Sequence, residues 1–284
     1  MAFLADVFNN KPSNANEVMK NAKSISVKIF RPKNISNDIV DQMCAIYLEA
    51  HHIDHKKCEQ RIRKSFDRMA VFFSVATGKV VGFNGIRLSK HRGMGFFQPV
   101  LAVYLGQMFV EKKYRGQHPI QMAMIHTLFS HKIIKPWQKT IIWGDAITYK
   151  PYMLIANNSD TFFPHPQVET PKPYKKLIDS LGFTHYGPRY MPETGCVRKD
   201  GTLVMESEEP IPARFLQNKF IKFYTERNAG YQEGNGMIIM MHFTWKVWMN
   251  LVKKVYANRW KKLFPKGGYD RAGVMYLFLK EKFS

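Results

Sequence analysis

VLAVYLGQMFVEKKYRGQHPIQMAMIHTLFSHK, residues 100–132, holds three elements in one run. Residues 100–110 are apolar and rich in β-formers, and read as a strand. Residues 111–118 are polar and basic, a loop with Arg115 and Gly116 at its centre. Pro119 then opens a helix to about residue 132, because proline suits the first helical position, where its missing N–H is no loss. A strand that feeds a basic loop and then a helix is an anion-binding device. The first-turn N–H groups point back at the loop, and the helix dipole favours negative charge there. Arg115 adds charge-assisted hydrogen bonds to phosphate. Gly116 lets the backbone approach a ligand closely, and Lys112 and Lys113 strengthen the field. The stretch 107–120 therefore reads as a site for a phosphate-bearing ligand; the plainer reading is an ordinary βα turn with a surface Arg-Gly pair.

Outward from this segment the periods alternate between two and about 3.6. Residues 26–30 suit a first strand, which Pro32 stops. Residues 36–68 are helical in pattern, with Ile39, Met43, Ile46 and Tyr47 at spacings of three and four, and 54–68 forms a separate basic helix. Residues 70–76 and 80–88 flank the turn Thr77-Gly78-Lys79, which predicts a hairpin. After the central run, 140–147 reads as a strand, 148–173 as a long proline-bearing segment, and 174–181 as a helix with Gly182 past its end. Beyond about residue 188 the pattern is less regular: a strand at 236–243, a basic amphipathic helix at 244–264 and a last strand at 272–280. Strands alternating with helices imply an α/β fold.

The chain has 284 residues, enough for one large domain or two small ones. Hydrophobic residues make up 45% and aromatics 14%, an ordinary supply for a packed core. Lys and Arg number 43 against 22 Asp and Glu, a net charge of +21. A field of that size draws anions: nucleic acid, anionic lipid, an acidic carrier protein or a small polyphosphate; the bland alternative is a surface kept soluble by repulsion. The three widely spaced cysteines, Cys44, Cys58 and Cys196, suggest no disulfide framework. Residues 1–6 lack the basic and apolar regions of a signal peptide. No apolar run is long enough to span a bilayer. The expectation is a cytoplasmic protein without a transmembrane segment.

Residues 110–117, Val110-Glu111-Lys112-Lys113-Tyr114-Arg115-Gly116-Gln117, resemble the pyrophosphate-binding segment of the GNAT N-acyltransferase superfamily. Residues 177–183, with Leu181-Gly182-Phe183, are similar to that family's late helix-to-strand element. The resemblance covers about residues 25–187 and identifies the chain as a divergent member. It implies a GNAT-like domain (25–187) with a mixed central sheet flanked by helices, and a C-terminal α/β extension (188–284) packed on the core; residues 1–24, polar and mixed, read as a loose arm. It implies transfer of an acyl group from acetyl-CoA or a longer acyl-CoA to a primary amine, by direct attack in a ternary complex and without a metal. An acidic acyl carrier protein is a second donor compatible with the charge. The backbone of Met108, Phe109 and Val110 would pair with the pantetheine arm and stabilise the oxyanion. Arg115, Gly116, Gln117, His118 and Ile120 would hold the pyrophosphate. Asp145 becomes a candidate base and Tyr174 a candidate acid, against bland readings as a turn cap and as core packing. The sequence departs from the family where His118 and Ile120, with Pro119 between them, stand in place of further glycines, and where Ile178 replaces a tyrosine.

Other groupings carry less. His51, His52, Asp54, His55 and Cys58 cluster, and His51 and His55 at i and i+4 would be metal ligands on one helix face, but a solvated helix end explains them better. The helix at 244–264 reads first as a core helix with a basic outer face and second as one lying on an anionic membrane or partner. Phe162-Phe163-Pro164-His165-Pro166 would shape the acceptor side of a pocket or simply pack. The alternative function is a non-catalytic GNAT-like basic module that binds nucleic acid or another anionic partner.

Overall fold

The computed structural model describes residues 24–92, 99–135, 137–159, 161–199 and 210–263, with the side chains of 130–134 and 256–263 left aside. The expected arm at 1–24, but for its last residue, and the expected strand at 272–280 lie outside these residues.

Among the described residues nine strands form one sheet: β1 (Ile25–Phe30), β2 (Arg68–Ser74), β3 (Val80–His91), β4 (Val100–Val110), β5 (Thr140–Ala146), β6 (Phe162–Phe163), β7 (Tyr190–Met191), β8 (Cys196–Val197) and β9 (Gly236–His242). Their order is β1-β2-β3-β4-β5-β9-β8-β7, with β6 against β9. β4 and β5 are parallel and the other pairs antiparallel, so the sheet is mixed. The helices are α1 (Asn37–Leu48), α2 (His55–Lys64), α3 (Pro119–Ile134), α4 (Tyr149–Ala156), α5 (Lys172–Tyr186), α6 (Ala213–Leu216), α7 (Lys219–Arg227) and α8 (Trp245–Leu263). This is the α/β architecture expected from the sequence, a mixed central sheet flanked by helices.

The central strands are covered on both faces, which is why they read as nearly continuous apolar runs. Period two sorts them. Ile142 and Ala146 of β5, with Met237, Ile239 and Met241 of β9, join the core that holds Ile125, Leu128 and Phe129 of α3 and Trp248 and Val252 of α8. Ile141, Trp143, Ile238 and Met240 face Leu177, Ile178 and Leu181 of α5. Met43, Cys44 and Tyr47 of α1 and Cys58 and Ile62 of α2 cover Met69, Val71 and Phe83. Each such large side chain contributes about 1.5–3 kcal/mol on burial.

Local signals explain most boundaries. The Asp54 carboxylate accepts from Lys57 N at 2.8 Å and caps α2. Gly78, at φ +67°, turns the β2–β3 hairpin. Thr244 Oγ1 accepts from Val247 N at 3.2 Å at the start of α8.

Three elements differ from expectation. The proline-bearing stretch after β5 contains α4, because Pro151 sits in the first turn, where a backbone N–H has no intrahelical partner. α5 does not stop at Gly182 but runs to Tyr186 and ends at Gly187, φ +56°. Gly182 lies inside the helix because a Cβ there would stand 2.4 Å from the Tyr190 ring. The late element at 177–183 is therefore helix throughout. Residues 219–227, unassigned from the sequence, form α7, capped by Asn218, whose side chain accepts from Phe220 N at 2.9 Å. α8 packs on α3, with Trp248 stacked on Phe129 at 5.9 Å, in agreement with the core-helix reading.

Candidate functional site

β4 changes partners along its length. On one edge it pairs with β3 throughout. On the other it pairs with β5 only from Leu101↔Thr140 to Tyr104↔Trp143. β5 continues against β9, with Asp145 opposite Ile238. The two strands part just beyond Leu105, whose carbonyl oxygen would stand 2.9 Å from a Cβ at Gly144.

A bulge marks the parting. Phe83 faces Phe109, but Gly85 faces Gly106, so β4 spends three residues where β3 spends two. The extra residue falls at Gln107 or Met108, and Gln107 takes φ +46°, a left-handed conformation that costs a non-glycine residue about 1–2 kcal/mol. A bulge bends its strand and strengthens the local twist. Gln107 is also tied sideways, its Nε2 donating to Cys58 Sγ at 3.5 Å.

The parted strands border a cavity of about 550 Å³. Met108, Phe109 and Val110 line it from β4; Arg115, Gly116, His118 and Ile120 line it from the following loop and the start of α3. Gln117 is not among the lining residues. Arg115 Nε donates to the Val110 carbonyl at 3.0 Å, which folds the loop back on the strand end. Gly116 takes φ +87° with open space where a Cβ would be, so backbone conformation selects glycine there. His118 takes φ +60°, and its carbonyl accepts from Met122 N at 3.0 Å in the first turn of α3. Burial, and secondarily the charge of Lys254, lower the His118 pKa.

Asp145 lines the cavity where the strands part, with its side chain 3% exposed. Its Oδ1 accepts from the Tyr104 hydroxyl at 2.7 Å, and Tyr186 Oη lies 3.4 Å from Tyr104 Oη. Its Oδ2 makes an ion pair with Lys199, just beyond β8. Burial pulls the Lys199 ammonium down to about 7; its contact with the carboxylate opposes that shift. Burial also raises the phenol pKa of Tyr104 and Tyr186. Asp145 is the only carboxylate among the lining residues described, against Arg115, Lys150, Lys199 and Lys254.

The structure does not bring Tyr174 to Asp145. Tyr174 packs on Phe163 at 4.8 Å between centroids and hydrogen bonds His242. His242 pairs with Ile141 and Asp145 with Ile238, so the two sites lie four residues apart along β5, about 13 Å at roughly 3.3 Å per residue. Tyr174 lines no part of the cavity.

His51 and His55 do not share a helical face. His51 lies between α1 and α2, with Nδ1 3.0 Å from the Tyr47 carbonyl and its ring stacked on Tyr47 at 3.7 Å; His55 opens α2. No group of three metal-ligating side chains occurs among the described residues, and no helix there is long and apolar enough to cross a membrane. Phe162 and Phe163 pair with β9 and are buried.

Sequence reasoning missed Tyr104, Lys150, Lys199 and Lys254. Tyr104 had a signal, as a polar tip on the apolar strand that leads into the loop. Lys254 was visible as part of a basic helix, but nothing local says that this face meets the cavity. Lys199 carries no local signal.

No protein-family model matches the chain, and no curated protein matches it. Among solved structures it is similar to a GNAT family N-acetyltransferase from Escherichia coli in complex with CoA, at 13% identity, over 48% of this chain and 72% of that one, TM-score 0.33. It is similar to an acyl-CoA N-acyltransferase from Pseudomonas aeruginosa at 14% identity, over 47% and 84%, TM-score 0.31. It is also similar to a ribosomal-protein-alanine N-acetyltransferase from Brucella melitensis biovar Abortus, at 14% identity, over 51% and 99%, TM-score 0.35.

Proposed function

We propose that this chain is a GNAT-type N-acyltransferase that moves an acyl group from an acyl-CoA to a primary amine. The observation that carries the reading is the parting of β4 and β5. It leaves the cavity-side edge of residues 105–110 without a strand partner, at the foot of a basic loop and a helix N-terminus. An exposed strand edge accepts an extended, amide-bearing ligand as an extra strand. Pantetheine is such a ligand, and the diphosphate that follows it in CoA suits the N–H groups and positive end of α3, with Arg115, Gly116, His118 and Ile120 around it.

The chemistry is addition and elimination at the thioester carbon. The neutral amine attacks, the C–N bond forms, and a β4 backbone N–H near the bulge stabilises the oxyanion. The C–S bond then breaks and the thiolate leaves with CoA. The proton shed by the nitrogen passes to the Asp145–Lys199 pair, directly or through water. Tyr104 holds that pair in place by its hydrogen bond to Asp145. Residues 25–187 supply the donor site, and the C-terminal stretch supplies Lys199, Lys254 and β9.

The test is calorimetric titration of wild type and Arg115→Ala with acetyl-CoA and a long-chain acyl-CoA. The expected result is micromolar binding that Arg115→Ala weakens about tenfold, the scale of one charge-assisted hydrogen bond. Turnover of the bound donor by a panel of primary amines should then release free thiol. Absence of binding to either donor would transfer the weight to a basic module that binds nucleic acid without catalysis, measurable as salt-dependent retention of duplex DNA or RNA.

A further inference from the structure

We infer that α8 supplies a second phosphate site, at which Lys254 recognises the 3′-phosphate monoester of the CoA donor. The inference rests on the acyl-CoA reading and deepens it. It also separates the two donors that the charge alone leaves open, because a pantetheine arm on a carrier protein has no 3′-phosphate.

The placement of Lys254 is built rather than incidental. α8 is fixed by its other face: Trp248, Leu251 and Val252 are buried, and Trp248 stacks on Phe129 of α3. That packing turns Lys253 and Lys254 outward, but only Lys254 lines the cavity. Its Nζ donates to Asn158 Oδ1 at 3.4 Å. Asn158 is itself held, its Nδ2 donating to the Leu154 carbonyl at 2.6 Å. An ammonium carries three donors, and Asn158 accepts one. The charge of Lys254 is felt at His118, so the ammonium stands near the loop that would hold the diphosphate. Lys150, in the first turn of α4, lines the same cavity. Two lysines from separate helices therefore line the same cavity as the Arg115 loop, and the one carboxylate among the described lining residues is paired with Lys199. A ligand with a diphosphate and a separate phosphate monoester matches this arrangement. A ligand with a diphosphate alone would leave the remaining donors of the α8 ammonium without a phosphate.

The test compares CoA with 3′-dephospho-CoA by calorimetry on wild type, Lys254→Ala and Lys253→Ala, with thermal melts to confirm that all three are folded. Wild type should prefer CoA by about tenfold, the scale of one charge-assisted contact to phosphate. Lys254→Ala should lose most of that preference by weakening CoA and leaving dephospho-CoA unchanged, and Lys253→Ala should keep it. Equal binding of the two nucleotides to wild type, a preference that survives Lys254→Ala, or an equal loss in Lys253→Ala would overturn the assignment. If wild type bound neither nucleotide, the acyl-CoA reading itself would fall, a result distinct from binding both alike.

Discussion

β4 and β5 lie side by side over Leu101 to Tyr104 and Thr140 to Trp143, and a few residues later the same two strands border a cavity. The paired half is almost wholly apolar in sequence, the parted half carries Gln107 and Asp145, and their contacts differ accordingly. In the paired half, Val103 and Ile142 pack into one core while Tyr104 and Trp143 pack on the other face, with centroids 4.6 Å apart. In the parted half, a bulge, a left-handed Gln107 and the paired charges of Asp145 and Lys199 replace the ladder. The comparison teaches that stability and binding are divided along one pair of strands. The first half closes the sheet, and the second leaves backbone edge and charge along the cavity, where the proposed ligand would sit.

The largest effect should come from the paired half. Trp143 is 1% exposed and stands between Tyr104 and His185, at 4.6 and 4.9 Å. Trp143→Ala should destabilise the protein by about 3–5 kcal/mol, through lost burial and the cavity left behind. Chemical denaturation would measure it. A loss under about 1 kcal/mol would mean that this half is not the structural half.

In the parted half the same measurement should give less, and binding should change more. Gln107→Val forces a β-branched residue into φ +46° and should cost about 1–3 kcal/mol. Gln107→Gly relieves the conformation and should change stability by less than about 1 kcal/mol, since the lost strain and the added chain entropy oppose. If the bulge sets the ligand edge, Gln107→Val should weaken acetyl-CoA binding more than Gln107→Gly does, read by calorimetry beside the melts. Equal binding in both would separate the bulge from the site.

How far the sequence foretells this division follows from the range of each signal. The strand, loop and helix of residues 100–132 are legible because period, proline and glycine act within a few residues. For the same reason the loop around Arg115 and Gly116, the proposed donor site, could be located in advance. α4 was not legible, because Pro151 reads as a breaker until its place in the first turn is known. Gly182 reads as a helix end until the Tyr190 ring packed against it is seen. The acceptor-side cluster is a long-range object: Tyr104, Asp145 and Lys199 come from three strand ends spread over 95 positions, counted from 104 to 199. Tyr174 and Asp145 both flank the β5 region in sequence, but lie at opposite ends of that strand.

The most gradual effect concerns acid, and it bears on the paired half again. Burial lowers His242, opposite Ile141, and His185, against Tyr104 and Trp143, each to about 4. Lys139 adds to the shift of His242, and Arg87 to that of His185. An unfolded histidine titrates near about 6.5. Between about 4 and 6.5 the unfolded state therefore binds more protons than the folded state, and stability rises with pH across that window. Acidification from 6.5 toward 4 should destabilise the protein, with a slope of at most about 1.4 kcal/mol per pH unit for each group. Replacing both with glutamine should flatten the slope of melts taken across the window. His118, on the parted side, is also lowered, chiefly by burial, so His118→Gln is the control that sharpens the comparison. A slope that survives the double replacement and disappears with His118→Gln would place the acid-sensitive contacts at the cavity, and would remove the distinction between a structural half and a binding half.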